Sequence, residues 1–106
     1  MIKISITTNN GQFKRFSVSG HAEFDDSGRD IVCSAVSMLV INTVNSLDAF
    51  TESEIDIETN DEKGYINCYI KNPTPESELL MKSLVLGLEG VKDSYSEYVQ
   101  IYYKEV

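Results

Sequence analysis

The chain has 106 residues, 42% of them apolar and 25% charged, a composition that excludes a disordered polymer and supplies one small core. Nine Lys and Arg against seventeen Asp and Glu leave a formal net charge of −8. Such a balance repels nucleic-acid phosphates and anionic lipid, so neither direct nucleic-acid binding nor membrane binding is expected and a basic partner is favoured.

Residues 1–106 are expected to form a single domain. The opening MIKISITTNN has no basic region followed by an apolar run, so no secretory signal is expected and the location reads as cytoplasmic. The most apolar segment, Ile31 to Val44, is short of the ~20 residues that span a bilayer and carries Ser34, Ser37, Asn42 and Thr43. Two cysteines in such a chain read as thiols rather than a disulfide framework.

Ile2, Ile4 and Ile6 alternate with polar residues, and Phe16 and Val18 resume the alternation after an Asn-Gly turn at Asn10 and Gly11. That pattern predicts an opening β-hairpin. Asp30 has the character of an N-cap, and Val32, Ala35, Val36, Leu39, Leu47 and Phe50 follow at helical spacing. Ile31, Met38, Val40, Ile41 and Val44 make this helix apolar nearly all round, so burial on more than one side is expected.

Ile55 and Ile57 begin a second hairpin, with a turn over residues 60–64 and a returning strand from Tyr65 to Lys71. Thr74 as N-cap, Pro75 at the first helical position, and Glu76 and Glu78 at the positive end of the dipole predict a second helix running to about Tyr95. Leu80, Leu84, Leu88, Val91 and Tyr95 form its predicted core stripe, and Val99 to Tyr103 ends the chain as a short strand. The order ββαββαβ predicts an α+β fold, a mainly antiparallel sheet covered by two helices.

The chemistry concentrates between Gly20 and Ser37, which hold the single histidine, His21, and one of the two cysteines, Cys33. If Asp30 caps the helix, Cys33 is its third residue, where unpaired amides and the macrodipole favour a thiolate and can stabilise an oxyanion. A histidine within reach then makes that thiol a nucleophile. Ser37, one turn on, shares the face of Cys33 and is placed to bind substrate or a water. Asp30 is also a candidate to orient His21, and Ser27 and Gly28 give the intervening loop room to move. Glu23, Asp25 and Asp26 make that loop acidic.

Each of these features has a plainer reading: a cysteine at a buried helix start is a small apolar residue, a lone histidine a turn residue, and an acidic run a solvated loop. One His and two Cys do not make a usual closed zinc site, and Cys68, in a strand with no CxxC spacing, reads as a structural thiol; no metal or cofactor is expected.

Gly20, His21 and Ala22, followed by Gly28, Asp30, Ile31, Val32, Cys33, Ala35 and Ser37, resemble the signature of the ribosomal-processing cysteine protease family, Prp, and the similarity in length and element order extends over the whole chain. The resemblance implies a small homodimeric protein that removes a short N-terminal extension from protein twenty-seven of the large ribosomal subunit, with Cys33 as nucleophile and His21 as base. It also implies a mobile loop between the two that orders on the peptide. Two other classes stay open on the residues: a ribosome-assembly binding module that holds the same basic partner uncut, and a redox-responsive thiol protein with a resolving cysteine near Cys33.

Overall fold

The computed structural model describes residues 1–20, 27–60 and 64–106, with the side chains of residues 27–30 outside that description. The elements are β1 (Ile2–Asn9), β2 (Gln12–Ser19), α1 (Ser27–Phe50), β3 (Ile55–Asn60), β4 (Tyr65–Ile70), α2 (Pro75–Ser94) and β5 (Val99–Glu105). This is the predicted ββαββαβ order. The strands form one five-stranded sheet, β3-β4-β2-β1-β5, in which β5 runs parallel to β1 and the other neighbours are antiparallel.

Local signals account for the first hairpin. Asn10 and Gly11 both adopt positive φ, 52° and 79°, as a two-residue turn matching the strand twist requires. A register shift between Thr7 and Thr8 then bends the ladder, and the Glu78 carboxylate of α2 accepts from the Phe13 N–H at 3.1 Å, tying the hairpin to the second helix.

Register carries the alternating apolar residues to one face. Ile4 lies opposite Val18 and Ile6 opposite Phe16, while Ile2 and Ile4 stand beside Val99 and Ile101 of β5. Phe16 in turn pairs with Cys68, and Cys68 with Ile57. The two helices cover this face, with Val32, Val36, Val40 and Leu47 of α1 and Met81, Leu84 and Leu88 of α2 completing the core. Burial of such side chains contributes roughly 1.5–3 kcal/mol each, the main term that holds the sheet to the helices.

α2 begins as its sequence predicts. The Thr74 hydroxyl accepts from the Ser77 N–H at 3.1 Å while the Ser77 hydroxyl accepts from the Thr74 N–H at 2.8 Å, a reciprocal capping box with Pro75 inside it. The core stripe is rotated from the predicted one: Met81 is fully buried, whereas Leu80 and Val91 are half-buried. The rotation arises because α2 packs on two surfaces at once, the sheet below and α1 beside it, where Gly87 lies against Leu39.

α1 differs from expectation at both its start and its surface. It begins at Ser27, so Asp30 is its fourth residue rather than its cap. Ser27 is itself a favourable helix-starting residue and no proline follows it, so nothing halts the helix before Asp30. The predicted burial on several sides is also incomplete: Val44 is half-buried, but Ile31, Met38 and Ile41 are 56%, 64% and 51% exposed. Ile31–Phe50 is long and apolar enough to cross a membrane, with a mean hydropathy of 1.4, yet its Val32, Val36, Val40 and Leu47 side chains are buried in the core.

Candidate active site

β2 and α1 bracket the segment that carries His21. β2 ends at Ser19, and Gly20 follows with φ 83°, a left-handed conformation that side chains resist. A Cβ there would stand 2.5 Å from the Met1 carbonyl oxygen, so only glycine fits. Gly20 therefore has a structural task, steering the chain out of β2 toward residue 21. His21 lies outside the described residues, as do Glu23, Asp25 and Asp26.

Gly28 is the second residue of α1 and Asp30 its fourth, so the chain from Ser27 onward is helix rather than loop. This places Cys33 seventh in the helix instead of third. A residue that deep has an amide already paired to the carbonyl four positions back, and the dipole's effect has faded beyond the first turn. The expected contribution of helix-end amides at Cys33 is thereby corrected. Cys33 itself is only 3% exposed and belongs to the core cluster, at the end of α1 that follows the His21 segment.

Ser37 does stand about one turn beyond Cys33, about 6 Å along the axis, and is half-buried. It lines an apolar groove of about 150 Å³ together with Val36, Val40 and Ile41 of α1, Thr59 of β3 and Tyr65 of β4. Val18 and Ile66 contribute its remaining wall. A second hollow, sharing Thr59 and Tyr65, adds Glu58 and Asn60. Sequence reasoning identified Ser37 but not Thr59 or Tyr65. These flank a turn in an ordinary hairpin, and only strand order brings them beside α1.

Cys68 is placed as a structural thiol. It is fully buried between Phe16 and Ile57 in the sheet ladder, and burial, with a smaller effect of the Asp56 charge, pushes its pKa up to about 11. The two cysteines are not joined to each other. Neither cysteine is among the residues that line the groove; Cys33 lies one helical turn before its Ser37.

The chain matches the family described as cysteine protease Prp over residues 1–100. It is 27% identical to the ribosomal processing cysteine protease Prp of Staphylococcus aureus, an alignment covering 98% of this chain and 100% of that protein. It is 30% identical to the Prp of Mycoplasma genitalium, over 95% of this chain and 94% of its relative. Among solved structures, the S. aureus ribosomal processing protease Prp in complex with a substrate peptide superimposes with a TM-score of 0.93 at 26% identity, covering 98% of this chain and all of that one. The same protease with a covalently linked product peptide gives a TM-score of 0.89 at 27% identity, again over 98% and 100%. A family match over residues 1–100, a buried thiol on a core helix and a fold shared end to end with proteases solved on their peptides make this chain a cysteine protease that belongs to the Prp family.

Proposed function

We propose that this protease is an endopeptidase of ribosome biogenesis that removes the N-terminal extension of large-subunit ribosomal protein twenty-seven. Cys33 attacks and His21 serves as base. The observation that carries the reading is the position of Cys33 near the start of α1, one turn before the groove-lining Ser37, in a fold whose S. aureus relatives are named for ribosomal processing and hold substrate and product peptides.

In this reading the imidazole of His21 takes the thiol proton and Sγ of Cys33 adds to the scissile carbonyl carbon. The tetrahedral intermediate collapses as the imidazolium gives its proton to the leaving amine, which leaves an acyl thioester. Water, deprotonated by the same imidazole, then attacks the thioester; a carboxylic acid leaves and the thiol is regenerated. The chain's net charge of −8 favours a basic ribosomal protein as substrate. The protein acts in the cytoplasm as a homodimer.

Incubation with the full-length precursor of the ribosomal protein, with the new N-terminus read by mass spectrometry, tests the assignment. One cut that frees the extension is expected from the wild type and none from Cys33→Ala. A precursor left whole by the wild type overturns the substrate assignment. His21→Ala is expected to lose about 10²–10⁴-fold in rate, the usual worth of a general base.

A further inference from the structure

We infer that the face of the sheet turned away from the helices is a docking surface for single-stranded RNA, with Arg15 as its phosphate anchor and Tyr102 as a platform for a base. The inference stands apart from the peptidase reading, since neither β5 nor Arg15 enters the proposed chemistry.

Register defines the face. Ile4, Ile6, Phe16 and Val18 point to the helices, so the residues that alternate with them point away. On that side Arg15 stands opposite Thr7 and Thr7 beside Lys104, while Lys3 stands beside Gln100 and Ser5 beside Tyr102. With strands about 4.8 Å apart and residues about 3.3 Å apart along them, the three cations form a triangle with sides of about 10–14 Å.

Charge is the first argument. A net charge of −8 argues against nucleic acid for the molecule as a whole, but the charge is unevenly spread. Lys3 and Lys104 are exposed, and neither they nor Arg15 have an ion-pair partner among the described residues. The one carboxylate of β1, β2 and β5, that of Glu105, is occupied by the Thr8 hydroxyl and the Asn10 amide. The acidic side chains of the same face, Asp56 and Glu58, are confined to β3, two strands from β2, and Asp56 is paired with Lys71 at 3.1 Å. β2, β1 and β5 thus present an unneutralised cationic surface on an acidic molecule, complementary to a polyanion.

The second argument is that Arg15 is held ready. Its Nε–H donates to Oδ1 of Asn67, a residue only 1% exposed, and its guanidinium carbon lies 5.5 Å from the centroid of the Tyr69 ring. These contacts fix the guanidinium and leave its four terminal N–H groups without an acceptor among the described residues. A fork positioned by two neighbours, with its outer donors unused, suits the paired oxygens of a phosphate.

The rings are the third. Tyr69 and Tyr102 are 41% and 48% exposed on this same face. The Tyr102 hydroxyl donates to Oε1 of Gln100, two residues back, which lays the ring along β5 as a flat surface. Bases stack on such rings with little regard to sequence. A carboxylate-rich peptide, the other polyanion, would meet the negative faces of the same rings. The Ser5 hydroxyl and the Gln100 amide nitrogen, set between the cations, provide partners for a ribose 2′-hydroxyl, which favours RNA over DNA.

The test is fluorescence anisotropy of labelled oligouridylate and oligoadenylate of about 12 nucleotides, within the usual site size of a stacking surface, titrated with the full chain. At about 50 mM salt a Kd of about 1–100 μM is expected, and log K is expected to fall against log salt with a slope of about −2, the value for three phosphates neutralised on a single strand. Lys3→Gln and Lys104→Gln, both exposed substitutions that disturb no packing, are each expected to reduce that slope by about 0.7. Tyr102→Ala is expected to weaken binding about fivefold or more with the slope unchanged. Arg15→Lys, which keeps the charge and loses the fork, is expected to weaken binding and likewise to keep the slope.

No binding by the wild type at about 50 mM salt, or an affinity and slope untouched by the lysine and Tyr102 variants, overturns the docking surface. Equal affinity for polyglutamate of the same length assigns the face to an acidic protein and overturns the RNA reading, as does equal affinity for the matching DNA strand. No step of the test uses cleavage, so each of these outcomes leaves the peptidase reading as it stands.

Discussion

The carbonyl oxygen of Met1 occupies the space a side chain at Gly20 would need, 2.5 Å from an ideal Cβ. Met1 cannot easily retreat, because the next amide, of Ile2, donates to the Tyr98 carbonyl at 2.7 Å and the Ile2 side chain is buried in the core. The chain leading to His21 is therefore steered by a contact between the start of the protein and the end of β2.

Gly20→Ala meets both this clash and a φ of 83°. The backbone conformation alone costs about 1–3 kcal/mol for a residue with a Cβ. A fall of about 4 °C or more in Tm is expected for a domain of this size. Activity per folded molecule is expected to drop as well, since relief of the clash moves residue 21. A variant that melts like the wild type would show that this end of β2 adapts freely.

The two thiols are expected to differ in reactivity. With its pKa pushed up to about 11, Cys68 at pH 7 is about one part in ten thousand thiolate, the form that alkylates. Cys33, with His21 as its proposed base, is expected to react first with a limiting amount of iodoacetamide, and activity is expected to fall in step with its modification. His21→Ala is expected to slow that labelling. Peptide mapping that finds Cys68 modified first, or both at one rate, would remove the chemical distinction between them.

Cys68 also ties stability to alkaline pH. Its thiol holds a proton more tightly when folded, with a pKa about 11 against an ordinary 9.0. Its contribution to stability is therefore complete below about pH 9 and lost as pH rises toward 11, where the unfolded chain gives up the proton first. Urea midpoints measured across that window are expected to fall for the wild type and to fall less steeply for Cys68→Ala, although that variant starts lower for want of a core side chain. Parallel curves would assign the alkaline loss to other groups.

What was legible in the sequence is what short-range chemistry decides. Asn10 and Gly11 specify their turn, Thr74 and Pro75 specify the start of α2, and the alternation of Ile2, Ile4 and Ile6 specifies a half-buried strand. Cys33 and Ser37 could be put on one helix face for the same reason. The start of α1 was not legible, because Ser27 and Asp30 both suit a helix start and the choice moves Cys33 from the third position to the seventh. Nor were the pairing of β5 with β1, the fit of Gly87 against Leu39, or the meeting of Thr59 and Tyr65 with Ile41. Each is a contact between segments far apart in the chain, which no local pattern encodes.

The outer surface of the helical layer leads to the last expectation. Met38 of α1 and Leu86 of α2 are 64% and 76% exposed, and Ile31 and Leu79 extend the same two rows. Large apolar side chains aligned on two neighbouring helices are a costly surface for a monomer and the usual core of a subunit interface. In the proposed homodimer this layer meets its copy. Sedimentation at micromolar concentration is expected to give the mass of two chains for the wild type and of one for Met38→Glu and Leu86→Glu, each of which would bury a carboxylate without a partner. Both side chains point away from the core, so the monomeric variants are expected to keep the wild-type circular dichroism spectrum. A dimer that survives both substitutions would place the interface on another surface, and a wild type that sediments as one chain would leave the outer helical face without a partner of its own kind.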